Sequence, residues 1–206
     1  PIVHTGDFKI DHTPLFDQHT DLARLATVAE EGALLLCADS TYVEIEGYTP
    51  SEQRVAERID AAIGKADGRV IMTTFASLIS RVQMVLDAAV KYDKRVFVTG
   101  RSMVNNVQMA RDLGYLTAPD QVLMSIREMR DHPTNRTIVL CTGSQGEPNA
   151  ALTRIAQGSH QHVNIQDGDT VILSSNPVPG NEKSVSRNIN LLFEAGANVI
   201  YNRIDD

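Results

Sequence analysis

The stretch Arg69-Val-Ile-Met-Thr-Thr-Phe-Ala-Ser77 decides the fold. A short, unbroken apolar run gives way to a Thr/Ser turn, and a helical stripe follows in which Leu78, Ile79, Val82, Val85, Leu86 and Ala89 share one face at 100° per residue. A strand wetted on one side alternates apolar with polar, so an unbroken run marks a strand covered on both faces, as in a parallel sheet between helices. The same rhythm recurs at Arg95-Val-Phe-Val-Thr99, Arg136-Thr-Ile-Val-Leu-Cys-Thr142, Thr170-Val-Ile-Leu-Ser-Ser175 and Ala197-Asn-Val-Ile-Tyr201. The expected class is α/β, with parallel order throughout residues 69–201 set by strand–helix alternation and right-handed crossovers.

Local signals place the helices. In Thr49-Pro50-Ser51-Glu52 an N-cap hydroxyl, a first-turn proline and a glutamate at the third position predict a helix over 50–65. Ser125-x-x-Glu128 is a second capping box, and Gly114 and Gly196 stand where helices should end. The first 49 residues follow another plan: a strand into Gly6-Asp7, a loop through Pro14, a helix over 20–31, and a strand from Ala33 to Cys37 that ends in Asp39. Two strands and one helix bury too little surface to stand alone, so they read as part of a larger domain.

At 206 residues, the chain has room for one large domain, or one domain and part of another. Apolar residues at 42%, charged residues at 22%, 13 glycines and 8 prolines exclude collagen and wholesale disorder. No apolar run approaches the ~18 residues of a membrane span, and Pro1-Ile2-Val3-His4 lacks a signal peptide's basic region. The expectation is a soluble cytoplasmic protein whose start is cut. Cys37 and Cys141, each in an apolar run, read as buried free thiols. The net charge of −7 is uneven: residues 1–49 hold nine acids and two bases, residues 50–206 seventeen of each. That asymmetry puts a boundary near residue 46, between units 1–46 and 47–206.

Chemistry in an open parallel sheet gathers beyond the carboxyl ends of the strands. Those positions hold Thr73-Thr-Phe75-Ala-Ser77, Thr99-Gly-Arg101-Ser102, Thr142-Gly-Ser144-Gln145-Gly-Glu147 and Ser174-Ser-Asn-Pro177. Hydroxyls, glycines and a guanidinium at helix starts suit phosphate oxygens, although Ser and Thr also serve as plain N-caps. No G-x-G-x-x-G and no G-x-x-x-x-G-K-[ST] occurs. Asp7 and Asp39 each close an apolar run, where paired carboxylates serve metal or acid–base chemistry as readily as they cap turns. His160-Gln-His162 sets two imidazoles on one side of an extended segment, a weak metal signal.

The motifs together resemble one family. His4-Thr-Gly-Asp-Phe-Lys9, Ala38-Asp-Ser-Thr41, Glu46-Gly-Tyr-Thr-Pro-Ser-Glu52, Arg81-Val-Gln83, Gly100-Arg-Ser-Met103, Leu113-Gly-Tyr-Leu116, Thr142-Gly-Ser-Gln-Gly-Glu-Pro148 and Pro177-Val-Pro-Gly-Asn-Glu182 are similar, in order, to bacterial ribonuclease J, a metallo-β-lactamase/β-CASP ribonuclease. The resemblance implies a Rossmann-like β-CASP domain over 47–206 and a partial metallo-β-lactamase segment over 1–46. It implies two zinc ions in the parent enzyme and 5′→3′ exonuclease with endonuclease activity on RNA. Asp7 then resembles the metal-bridging aspartate, and Asp39 the acidic residue that supports the metals. Phe75, Ser77, Arg101, Ser102, Ser144, Gln145 and Glu147 are the expected RNA track, with Glu147 orienting Arg101 or a backbone amide. RNA is the implied partner, with no membrane contact, and a homodimer of the parent enzyme is a further expectation. The family's H-x-H-x-D-H and H-x-S-G-H-type motifs are absent from the sequence, so residues 1–206 alone should bind no zinc pair and be catalytically silent. The rival reading is a stand-alone Rossmann-like module for a nucleotide or phosphosugar.

Overall fold

The computed structural model describes residues 1–15 and 19–201, and the chain divides into two compact units, Pro1–Arg58 and Ile59–Asp206. The division falls inside a helix, α2 (Glu52–Lys65), while the shift in charge near residue 46 precedes that helix.

In the first unit β1 (Ile2–His4) pairs in parallel with β2 (Leu35–Cys37), and α1 (Leu22–Glu30) connects them. Asp21 caps α1 by accepting a hydrogen bond from the Arg24 amide at 2.8 Å. No residue of α1 is buried, and Leu34 is 86% exposed. The start of α2 differs from expectation. Glu52, not Pro50, opens it, and two side chains satisfy the first amides: Ser51 Oγ accepts from Gln53 N (3.2 Å) and Asp11 Oδ2 from Glu52 N (2.8 Å). Asp11 lies 41 residues upstream, a partner that local spacing cannot reveal.

The second unit is a six-stranded, wholly parallel sheet in the order β5-β4-β6-β3-β7-β8. Its strands are β3 (Val70–Thr73), β4 (Arg95–Thr99), β5 (Leu123–Ser125), β6 (Thr137–Cys141), β7 (Thr170–Leu173) and β8 (Asn198–Tyr201). Five answer to the apolar runs. β5 was not anticipated, being three residues long and only partly buried. The helices are α3 (Ile79–Lys91), α4 (Arg101–Asp112), α5 (Ala151–Ala156) and α6 (Glu182–Glu194). Every residue of β3, β6 and β7 is buried. Ile71, Phe97, Val139, Val171 and Val199 face α5 and α6 in one core cluster. Their neighbours Val70, Val96 and Ile138 point the other way, the side where α3 and α4 bury Val82, Val85, Leu86, Met103 and Val107.

The Ser125–Glu128 capping box forms, but it caps a 3₁₀ helix, Ile126–Asp131. Gly114 and Gly196 end α4 and α6 at φ +78° and +89°, the left-handed geometry that favours glycine. Cys141 is buried, and burial pushes its thiol up to about 12; Cys37 is only partly covered. The Thr73 hydroxyl pulls the thiol the other way, through a contact short of hydrogen-bond geometry. Among the described residues no helix is long and apolar enough to cross a membrane.

The amino-terminal edge of the sheet is held by a buried ion pair. Arg69 Nη2 meets Asp169 Oδ2 at 2.5 Å, with side-chain exposures of 5% and 2%, and also donates to Asn164 O at 2.6 Å. Asp169 Oδ2 accepts from Gln166 N at 2.9 Å. Removing one member of such a pair strands a buried charge, at a cost of about 3–5 kcal/mol. Asp169→Ala should therefore lower the urea midpoint by that equivalent at unchanged slope, whereas Arg69→Met with Asp169→Leu should recover most of the loss.

Candidate nucleic-acid interface

Four turns stand side by side at the carboxyl edge of the sheet, because Thr73 is in register with Cys141 and Leu173, and Thr99 with Cys141. From β3 the chain runs out to β4 and β5, returns through β6, and continues to β7 and β8 on the other flank. The reversal makes the ends of β6, β3 and β7 a switch point, where crossovers leave a crevice.

The turns divide into residues that hold and residues that face solvent. Ser77, Arg101, Ser102 and Glu147 are exposed, and Phe75 is partly buried. Gly100, at φ +95°, precedes α4, and a Cβ there would come within 2.5 Å of Thr142 Oγ1; only glycine lets these two turns approach so closely. No side chain caps α4, which leaves first-turn amides for an outside acceptor. Arg101 makes no ion pair or side-chain hydrogen bond among the described residues, so its guanidinium is uncommitted.

Ser144 and Gln145 lie inside, at 2% and 5% exposure. The Gln145 amide is fully engaged within the protein: Nε2 donates to Asn176 O (2.9 Å), and Oε1 accepts from Val178 N (2.7 Å) and Asn181 Nδ2 (3.3 Å). It fastens the loop after β7 to the loop after β6. Glu147 Oε2 accepts from the backbone N–H of Gln145 at 3.3 Å. At Gly146, φ +73°, a Cβ would strike the Ser184 backbone at 2.6 Å, so this loop sits directly on α6. Arg81 of α3 reaches across to Ser174, donating to its carbonyl and, at 3.1 Å, to Oγ. Thr74 Oγ1 is buried without a partner.

In the first unit Asp7 is exposed, and no side-chain hydrogen bond or ion pair engages it among the described residues. Asp39 accepts from the Thr41 hydroxyl (2.7 Å) and amide (3.0 Å), and these bonds, with one from the Phe8 amide, hold its carboxyl below the usual range. Asp39 N donates to Thr5 Oγ1 at 3.1 Å, so the two aspartates belong to adjoining loops. His4 Nδ1 is occupied by the Gly6 amide at 3.0 Å. Among the described residues no three His, Cys, Asp or Glu side chains gather as a metal site.

His160 was legible only as half of a weak metal signal. It is 5% exposed, its Nδ1 accepts from His162 N and Val163 N (3.2 Å each), and Nε2 lies 3.1 Å from Thr99 Oγ1. Burial first, then the charges of Arg154 and His162, push its pKa down to about 4.

A six-stranded parallel sheet between helices, with hydroxyl- and glycine-rich strand ends around a switch point, is a Rossmann-like α/β fold. Residues 67–192 match the family model described as ribonuclease J, beta-CASP domain. The chain is 50% identical over 200 residues to ribonuclease J of Thermus thermophilus, 46% over 202 to ribonuclease J of Synechocystis, and 42% over 200 to ribonuclease J2 of Bacillus subtilis. These alignments cover 97%, 98% and 97% of this chain but 35%, 32% and 36% of the relatives, so the chain spans about a third of their length. The chain belongs to the ribonuclease J family, a family of RNA-processing nucleases, and carries its β-CASP domain.

Because His160 is held neutral in the fold, its contribution to stability is complete above the ordinary histidine pKa near 6.5 and is lost as pH falls from there through about 4. Urea unfolding should show the chain losing about 2 kcal/mol more than His160→Asn between pH 7 and pH 5.

Proposed function

We propose that the chain is the RNA-binding β-CASP portion of a zinc-dependent ribonuclease with 5′→3′ exonuclease and endonuclease activity. The observation that carries the reading is the carboxyl edge of the sheet, where an uncommitted Arg101, the uncapped start of α4 and exposed Ser77 and Ser102 stand in one row. Backbone amides, hydroxyls and a guanidinium are phosphate donors, and partly exposed Phe75 offers a face on which a base can stack. Gln145, with both ends of its amide engaged, supports this row by holding the 176–181 loop, and Glu147 supports it through the Gln145 amide. Asp7 is the residue we assign to the metals, its partners lying elsewhere in a protein of the relatives' length, and Asp39 shapes the neighbouring loop. No chemical step follows from these residues alone.

Affinity for single-stranded RNA should rise with length and fall steeply with salt, and Arg101→Ala should weaken binding across all sequences while reducing the salt slope by about 1. Tight 1:1 binding of a mononucleotide, indifferent to RNA length, would instead establish the small-ligand module.

Cleavage is a separate matter. Hydrolysis at neutral pH needs a hydroxide and a positive charge on the developing phosphorane. Neither is available from Asp7, with His4 tied to the Gly6 amide. Incubation of the purified chain with 5′-monophosphorylated RNA and zinc or manganese should leave the RNA intact. Chelator-sensitive degradation that copurifies with the chain would overturn this.

A further inference from the structure

The segment between α5 and β7 carries one polar side chain whose placement the reading above does not use. His160 is buried, while Ser159 and Gln161 on either side are exposed, and Val163 just beyond is wholly buried. Its Nδ1 accepts two backbone hydrogen bonds, from His162 N and Val163 N. A ring nitrogen that accepts carries no proton, so the neutral ring bears its proton on Nε2 and donates it to Thr99 Oγ1, 3.1 Å away. The imidazole thus does two things at once: it turns its own segment, and it grips the last residue of a strand 61 positions earlier.

Thr99 stands at a sensitive point. It is 7% exposed, and it precedes Gly100, whose φ of +95° swings the chain into α4 against Thr142. Arg101 follows at once. With no side chain capping α4, the hydroxyl of Thr99 is the fixed polar atom nearest in sequence to that turn.

We propose that His160 is a positioning residue: through Thr99 it sets the geometry of the Thr99–Gly100–Arg101 turn, and with it the grip of Arg101 on an RNA phosphate. The inference rests on the RNA reading for its ligand, though not for its structural half. The charged groups acting on the ring are Arg154 of α5 and His162 of its own segment, both basic, while β4 contributes the neutral Thr99 hydroxyl. The ring remains uncharged, so its influence on a polyanion is exerted through geometry and not through charge.

Two substitutions separate the two ends of this contact. In His160→Asn the side-chain oxygen can still accept from His162 N and Val163 N, but the shorter carboxamide no longer carries a donor out to the Nε2 position against Thr99. Thr99→Val keeps the shape and removes the acceptor. In the full chain, each should lower affinity for single-stranded RNA by about 3- to 10-fold, the range expected for one lost hydrogen bond. Each should also reduce the salt slope as Arg101→Ala does, and adding either to Arg101→Ala should cost nothing more. Amide NMR signals of Gly100 and Arg101 should move in both variants without RNA present. The proposal is overturned if the salt slope stays at its original value, if the losses add to that of Arg101→Ala, or if those amides stay in place in a folded variant. If the unaltered chain shows no dependence on RNA length or salt, the RNA reading fails by itself, and the amide shifts still decide whether His160 positions the turn.

Discussion

β3 is hydrogen-bonded along both edges, to β6 and β7, and buried on both faces. Such a strand can present polar groups only at its ends, and the rest of the unit follows from that restriction. Helices must cover both sides, so connections must cross over and run parallel, and every turn after a strand arrives at the same edge. Polar turns are concentrated there because the interior excludes them, and the segment that reads most plainly as core is also the one that fixes where the candidate site lies.

The two edges of the sheet are built differently. At the amino edge two cations are buried: Arg69, paired with Asp169, and Lys94, whose ammonium donates to the Asn135 carbonyl at 2.6 Å while burial lowers its pKa. Gly68 lies against the backbone of Gly168, where a Cβ would meet the carbonyl at 2.6 Å. At the carboxyl edge the buried polar groups are neutral amides, hydroxyls and an imidazole, and they bind other turns: Gln145 to the 176–181 loop, His160 to Thr99. Cations remain at the rim, where Arg101 is exposed. A polyanion docked as proposed would meet charge at the surface and rigidity beneath it, an arrangement that keeps phosphate contacts without a cost for burying guanidinium.

The apolar runs made the strands legible, since burial on both faces writes itself into consecutive residues. β5 escaped because Leu123-Met-Ser125 is too short to show a pattern and lies at an edge. Ser125 and Glu128 announced a cap correctly, yet capping chemistry is the same for a 3₁₀ turn as for an α-helix. The row of strand-end turns was also legible. Its internal division was not, because the partners of Gln145 and Thr99 lie 30 or more residues away. A glutamine among Gly, Ser and Thr looks like a ligand-facing side chain until the loop that occupies it is seen.

In the first unit polar bonds are concentrated at the start of α2. β1 pairs with β2, and within residues 1–206 Ile2, Leu34, Leu35 and Leu36 are exposed. Burial would raise the carboxyl of Asp11, but hydrogen bonds from Glu52 N, Thr13 N and Ser51, with the charge of Lys9, bring it down to about 2. Lys9 in turn binds Glu52 at 2.9 Å, so one short network joins the loop after β1 to the start of α2. With its carboxyl held this low, Asp11 stays ionised well below the ordinary aspartate range, and its contribution to stability is lost only as pH falls from about 4 towards about 2. The acidity concentrated in residues 1–49 is therefore partly structural at this point, and Asp11 is committed to the helix start while Asp7, four residues earlier, is left uncommitted.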